Sequence, residues 1–423
     1  MTLFATNWSR NQQFKAARVH EPNNLDELRR IVASSDQVKA IGSRHSFTTI
    51  ADTSGDHISL GNFDEIIEID RQRQTARVGA GIPYGRFCAE LHRAGYAVHN
   101  MASLPQITLG GACATATHGS GDQNGILATA ITALTMVTAD GSVVELDRDT
   151  TPNDFRAVVV GLGGFGVIVD LTVELRPSYT VQQYIYENVP LVQLWDHFDE
   201  IMSSGYSVSL FASWQEDEIE QLWIKQIATP GQQPPVASTR FGARLASVTR
   251  HPSPGKPEGD CTDQLGTPGP WHERLPHFRM EAIGPHGDDL QTEYFVDRKQ
   301  AVHALRALVQ QRELIAPIIK TSEIRSMAGD DIWMSMAYGR DTVGIHFSWN
   351  ADLDAVMERL PELEQVLAPY DPRPHWGKLS TIPPETVASR YPMFGQFRSV
   401  MRRYDPDGTF QNQFLSDYVL NIA

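Results

Sequence analysis

Five residues in the second half of the chain carry chemistry at an informative spacing. Glu323 and Arg325 stand two apart in a strand-like segment, and so do His346 and Ser348 in another. Side chains two apart on a strand share a face. A face carrying a carboxylate, a guanidinium, an imidazole and a hydroxyl is wrong for a dry core, where unpaired polar groups are costly. It suits a ligand made mostly of hydroxyl groups, or an exposed sheet face laced with cross-strand ion pairs. Lys378, at the end of a run from Arg373, adds a second cation.

The first half offers loops rather than charges. Gly42, Ser43, Arg44, His45 and Ser46 follow a short apolar segment ending at Ile41. A second loop, Gly110 to Gly121, has the same small-residue texture and contains Thr115, Thr117, His118, Gly119 and Ser120. Backbone amides and hydroxyls in such loops can hold a diphosphate without any positive side chain. The two loops together point to a large phosphate-bearing cofactor held between them; two tight turns are the plain alternative. His45 lies inside the first loop, where packing alone would not call for it. It can bond a phosphate, act as a base, or attach a flavin ring covalently.

Two further patterns are decoys. Gly161, Gly163 and Gly166 fit the glycine fingerprint of dinucleotide folds, which requires a strand before and a helix after. Ala157 to Val160 reads as the strand. The residues from Val167 onward alternate with period two, so another strand is expected instead of a helix. The expected role is a glycine turn between strands that lets backbone approach a cofactor. His272, Glu273 and His277 resemble a zinc-protease helix, but the second histidine is one place too far and Pro276 breaks the helix. A loop over the pocket is expected, with no metal. Asn7 to Ser9 forms a glycosylation sequon, read as without consequence.

The elements that must position these residues follow from pattern. Asn24 caps an expected helix from Leu25 to Ser34, with Glu27 in capping-box position. Val38 to Gly42 reads as a strand entering the first loop. Glu65–Asp70 with Thr75–Val78, and Ala133–Ala139 with Ser142–Leu146, read as hairpins. Arg86 to Arg93 reads as a helix stopped by Gly95. Beyond residue 180 come a helix (Leu191–Ser203) and two strands (Tyr206–Trp214, Gln221–Ile227). Residues 228–285 are rich in proline and glycine, a long connection of the functional or mobile kind. Strand, helix, strand, strand and helix follow at Thr292–Val296, Gln300–Leu314, Ile318–Arg325, Val343–Trp349 and Leu353–Leu367. The pattern is α+β, with a mostly antiparallel sheet covered by helices in the second part.

The 423 residues suggest two domains, and 41% hydrophobic with 21% charged residues is an ordinary globular balance. The net charge of −15 disfavours nucleic acid and anionic lipid, and no basic run offsets it. Cys88, Cys113 and Cys261 are too few and too widely spaced for a disulfide framework or a CxxC pair. The N-terminal residues show no secretory leader. The longest apolar run, Ala157 to Val169, is too short for a bilayer. A cytoplasmic monomer is the expectation.

The segment from Ala40 to Thr53 resembles the flavin-attachment loop of the vanillyl-alcohol oxidase / p-cresol methylhydroxylase flavoproteins, and among them the alditol (xylitol) oxidases. Asn100 to Pro105, Thr117 to Gly121, Pro270 to Phe278, Glu323 to Arg325, His346 to Trp349 and Arg373 to Lys378 agree in order along the chain. The resemblance implies a two-domain FAD-binding fold: residues 1–180 for FAD, 181–380 for substrate, and 381–423 returning to the FAD domain. It implies FAD attached covalently through His45. It implies cofactor contacts at Ile41, Gly42, Ser43, Arg44, Ser46, Ala102, Ser103, Gly110, Thr115, Thr117, His118, Gly119, Ser120, Gly121, Gly163, Gly166, Val167, Ile168, His375 and Asn412. Ser103, Glu323, Arg325, Ser348 and Lys378 would bind a polyol, and Arg325, Lys378, Glu323 and His346 would be catalytic. The implied reaction takes the terminal hydroxyl of an alditol to the aldose and O₂ to hydrogen peroxide. A lactone oxidase or dehydrogenase of the same fold is the alternative. Arg44 stands where the family often has glycine, so this position is expected not to need a positive φ. Ser348 replaces a common threonine.

Overall fold

The computed structural model describes residues 5–229, 236–282, 284 and 286–421. The start of the N-terminal stretch read for a leader, and six positions of the proline-rich connection at 230–235, lie outside the described residues.

The helix Leu25–Ser34 forms as the cap predicts. Asn24 Oδ1 accepts the Glu27 amide at 2.9 Å, while Glu27 Oε2 accepts the amide of Asn23, one residue outside the usual box, at 2.9 Å. Leu28 and Val32 bury its inner face. The strand Val38–Ile41 joins Asp56–Ser59 and Arg18–His20 in a small parallel sheet. Beside it stands a five-stranded antiparallel sheet. Both expected hairpins form there, Ile66–Asp70 with Thr75–Gly79 and Ile131–Val137 with Val143–Asp147, and Val167–Glu174 runs between them.

One expectation fails locally. Ala157 and Val158 end a helix, Pro152–Val158, rather than forming a strand. Proline in its first turn suits a helix start, and Phe155, Ala157 and Val158 are buried by it. The glycine turn that follows therefore joins a helix to a strand. A Rossmann-type fingerprint needs the reverse order, so the Gly161–Gly166 turn is not one.

From Thr180 the chain builds one large antiparallel sheet. Its central spatial order is Thr180–Pro190, Glu218–Ile227, Ser207–Ala212, Ile319–Met327, Thr342–Asn350, Asp289–Asp297 and Arg373–Pro374. Val208, Leu210, Ile224, Ile324, Ile345 and Phe347 point to one side and share a core with Leu194, Leu305 and Leu360 of three helices. Those helices are Leu191–Met202, Ala301–Gln310 and Leu353–Leu367. The opposite side of the same strands carries Lys225, Ser209, Glu323, Arg325, His346, Ser348 and Glu293.

The last helices pack back on the first part. The Thr409 carbonyl accepts the Val38 amide at 2.8 Å. Asn412 caps the short helix Gln413–Leu415, and its Nδ2 donates to the carbonyls of Thr49, Ile50 and Asp52 at 2.9–3.1 Å. The loop ending at Gly121 is also tied to the large sheet, by the Gly121 amide donating to the Ser326 carbonyl at 2.9 Å. Among the described residues, no helix is long and apolar enough to cross a membrane.

Candidate active site

The small parallel sheet delivers its strand end, Ile41, into the loop Gly42–Ser46, and this loop forms one wall of a cavity of about 440 Å³. Gly42 is required by a close approach: a Cβ there would lie 2.3 Å from Thr108 Oγ1. Arg44 corrects an expectation. Its φ is +63°, so the position does adopt the left-handed conformation, at a cost of roughly 1–2 kcal/mol for a side chain with a Cβ. The N-terminal segment holds it there. Arg44 Nη1 donates to the Thr6 carbonyl at 3.1 Å, and the Trp8 amide donates to the Arg44 carbonyl at 2.8 Å. Asn7, of the apparent glycosylation sequon, is 1% exposed and donates to the Ser46 carbonyl at 2.9 Å.

His45 stacks on Trp8, with ring centroids 5.3 Å apart. Both its ring nitrogens are shielded from solvent, with no partner beyond the backbone of Ser43 in its own loop. Burial pushes its pKa down to about 4, so the imidazole is neutral and its lone pair is unspent. The same wall contains Lys39, Thr115, Thr117, Leu162 and Gly163.

The opposite wall is the polar face of the large sheet. Register places Glu323 opposite His346, His346 opposite Glu293, and Gln291 opposite Ser348. Glu293 is the hub. Its Oε1 accepts from Arg325 Nη2 at 3.0 Å and lies 3.2 Å from His118 Nε2; its Oε2 accepts from Lys378 Nζ at 2.6 Å. Burial alone would push the Glu293 carboxyl up, but Lys378, His118 and Arg325 hold it well below the usual carboxylate range. Glu323 behaves alike: burial opposes its charge, and Arg325 and His277 keep it ionised. Arg325 also donates to Ser103 Oγ at 3.2 Å, while its buried Nε has no hydrogen-bond partner.

Lys378 Nζ donates to Glu293 and to His346 Nδ1, the latter at 2.8 Å. An ammonium has three protons, so one N–H remains for a ligand. Burial lowers its pKa, partly offset by Glu293. Burial and Lys378 push His346 down to about 3, so it is neutral, with its proton assigned to Nε2 by the bond that Nδ1 accepts. Ser348 Oγ donates to Asp289 Oδ2 at 2.8 Å.

The cavity thus gathers Ile41, Gly42, Ser43, Arg44, His45, Ser46, Ala102, Ser103, Thr115, Thr117, His118, Gly163, Glu323, Arg325, His346, Ser348, His375 and Lys378. Gly110, Gly119, Ser120, Gly121, Gly166, Val167, Ile168 and Asn412 do not line it. Gly110 packs on Ala80, where a Cβ would meet the Ala80 Cβ at 2.9 Å. Gly119 faces Asn100, Ser120 Oγ donates to the Val208 carbonyl, and the Gly121 amide donates to the Ser326 carbonyl. Gly166 backs onto Val137, and Val167 and Ile168 are paired in the sheet with Val137 and Met136. Asn412 is spent on its cap and on the carbonyls of residues 49–52.

Two site residues, Glu293 and Lys225, escaped the sequence reading, and His277, read as part of a loop over the pocket, was given no partner. Glu293 sits in the strand read at Thr292–Val296, an acid inside an otherwise apolar run. His277 closes over the sheet and meets Glu323 Oε1 at 2.6 Å through Nε2. Lys225 lies behind it. His118, Glu293 and His375 bring ligand atoms within 4.8 Å of one another. Both Glu293 oxygens are already engaged by cations, however, so the cluster is built around Arg325 and Lys378 rather than around an ion.

The residues present fit a flavin nucleotide: a neutral imidazole with an unspent lone pair, and a glycine cradle where side chains would collide. The FAD binding domain family matches residues 16–147, and the D-arabinono-1,4-lactone oxidase family matches residues 289–418. The chain is 41% identical to an alditol oxidase from a Streptomyces species, with 99% of each chain covered. It is 27% identical to the L-gulono-1,4-lactone dehydrogenase of Mycobacterium tuberculosis, with 98% of each covered. Cholesterol oxidase from B. sterolicum superposes with a TM-score of 0.78 over 98% of this chain and 96% of its own, at 13% identity, a likeness of fold.

Proposed function

The chain belongs to the alditol oxidase family of vanillyl-alcohol-oxidase-type flavoproteins, and from that membership and its polar cavity wall we infer that it oxidises the terminal hydroxyl of alditols such as xylitol and sorbitol to the aldose. FAD would be held by the Gly42–Ser46 loop and its neighbours and would supply the redox chemistry, accepting hydride from the carbinol carbon and yielding the electrons to O₂ to give hydrogen peroxide. His45 is its covalent anchor, supported by a shielded, neutral ring whose lone pair is unspent. Thr115, Thr117, His118, Gly163 and His375 line the same cavity and complete the cofactor wall.

The protein's own part is orientation and charge. Arg325 and the third N–H of Lys378 would stabilise the negative charge that the reacting oxygen gains as its hydroxyl proton passes to water, which readies the adjacent carbon to lose hydride. Arg325 stays protonated and acts only as charge and donor. Glu293 locks both cations in place and cancels part of their mutual repulsion. Glu323 accepts from a neighbouring hydroxyl. Ser103 and Ser348 reach hydroxyls at either side, and His346 presents its Nε2–H. The observation that carries this reading is a buried, ion-paired sheet face that still has unspent donors, on Arg325 Nε and Lys378 Nζ.

Residues 1–180 form the FAD domain, 181–380 the substrate domain, and 381–423 the returning segment, in a cytoplasmic monomer. The lactone reading is favoured by the family matched over residues 289–418. Peroxide release on adding xylitol or sorbitol is the expected result. Dye reduction by an aldonolactone, with no peroxide from either alditol, would transfer the assignment to the lactone-oxidising relatives.

A further inference from the structure

Behind the polyol wall lies a second row of buried polar groups that the reaction above does not use. Lys225, on the strand Glu218–Ile227, is 1% exposed. Its Nζ meets the Leu275 carbonyl at 2.5 Å, the Pro276 carbonyl at 3.1 Å and His277 Nδ1 at 3.1 Å. His277, 4% exposed, meets Glu323 Oε1 at 2.6 Å through Nε2. Edge contacts from Phe211 and Trp223 fix the ring plane.

Glu323 is ionised, so whatever lies 2.6 Å from its Oε1 must donate a proton. A neutral imidazole has one N–H and two possible places for it. With the proton on Nδ1, two lone pairs would face each other across the Nε2–Oε1 contact. Burial pushes the Lys225 pKa down to about 7, and below that value its ammonium excludes that arrangement, because three protons are matched to two carbonyls and one imidazole lone pair. Burial pushes the His277 pKa down to about 4, so the doubly protonated ring is not the ordinary form.

We propose that Lys225 is a positioning residue for polyol oxidation, fixing His277 as the Nε2–H tautomer so that His277 clamps Glu323 Oε1 and leaves Oε2 free for a substrate hydroxyl. The sign of the effect is set by geometry. Without the clamp, Glu323 is free to swing toward the bare Nε of Arg325, 3.5 Å away, and to close the donor meant for substrate. Binding of the polyol suffers first, and the rate of hydride removal less.

This inference rests on the reading that Glu323 holds a substrate hydroxyl. The test is a double-mutant cycle on the flavin-loaded full chain, reading the xylitol dissociation constant from the saturation of anaerobic flavin reduction. Losing a hydrogen bond to a charged group predicts that His277→Leu weakens xylitol binding about 10-fold or more. His277→Gln restores it to within about threefold, because an amide N–H donates without a tautomer to choose. Lys225→Met weakens binding about 10-fold in the native background and not at all in the His277→Gln background. A merely structural lysine would cost the same in both backgrounds, since the two carbonyls are orphaned either way. An additive cycle therefore overturns tautomer control. If Lys225→Met does not fold, Lys225→Gln replaces it in the same cycle. Unchanged xylitol affinity in Glu323→Gln overturns the underlying reading, and the proposal with it.

Discussion

Replacing Lys378 with Met separates the two tasks of that side chain. The ammonium makes one short bond to Glu293, at 2.6 Å, and one to His346, at 2.8 Å, and has one N–H left. Loss of a preorganised donor to developing negative charge costs about 10²–10³ in rate. Loss of one partner from a buried ion pair costs about 3–5 kcal/mol of stability. Unfolding entropy near 2.1 cal/mol/K per residue gives about 0.9 kcal/mol/K for 423 residues, so melting should fall by roughly 3–6 °C. Glu293→Gln added to Lys378→Met also takes away the carboxylate that Arg325 holds at 3.0 Å, so the double variant should regain neither melting temperature nor rate. Stopped-flow reduction by xylitol without oxygen reads the chemical step, and reoxidation of the pre-reduced enzyme reads the oxygen step, which should change little. A Lys378→Met enzyme that reduces its flavin at a near-normal rate and shows only weaker xylitol binding would refute the charge-stabilising role. So would a double variant that regains rate together with stability.

Three shorter expectations accompany it. His45→Ala should release its yellow colour to the supernatant on acid precipitation while the parent protein keeps it in the pellet; a parent that releases flavin equally contradicts the covalent anchor. Ala102, buried on the cavity wall, leaves room for O₂ beside Ser103, so Ala102→Leu should slow reoxidation more than reduction, and equal slowing would dismiss it. Burial depresses His99 from an ordinary value of 6.5 to about 4, so the unfolded chain binds a proton there that the folded one does not. Stability is then complete above pH 6.5 and lost as pH falls toward 4; His99→Gln should flatten that decline in melting temperature, and an unchanged slope would assign the decline to other groups.

Local elements were legible because local rules form them. The Asn24 cap, the turn at Asp140 and Gly141 and the alternation around Glu323 and His346 each lie within a few residues of their cause. The misread at Ala157 is of the same kind: four β-branched or small apolar residues fit a strand and a buried helix end equally, and only Pro152 upstream distinguishes them. The site was legible where two chemical groups share one strand face. It was hidden where a residue's meaning comes from a distant partner. Glu293 is a single acid in an apolar strand, and nothing nearby in sequence announces Arg325, Lys378 and His118. Lys225 and His277 look like an edge charge and a loop histidine until the sheet brings them together. The positive φ of Arg44 was invisible because its clasp comes from Thr6 and Trp8.

That clasp makes the segment around residues 6–8 a working part of the cofactor wall. Four contacts join it to the loop: a side-chain bond from Arg44, a backbone bond from Trp8, an amide bond from Asn7 and a ring stacked on His45. A left-handed arginine relaxes toward ordinary backbone angles once its restraints are cut. Proteolytic trimming or a rigid fusion ahead of Thr6 would therefore be felt at the imidazole, far along the chain, as a change in how the yellow cofactor matures. An expression tag fused ahead of this segment is therefore a chemical variable when variants are compared.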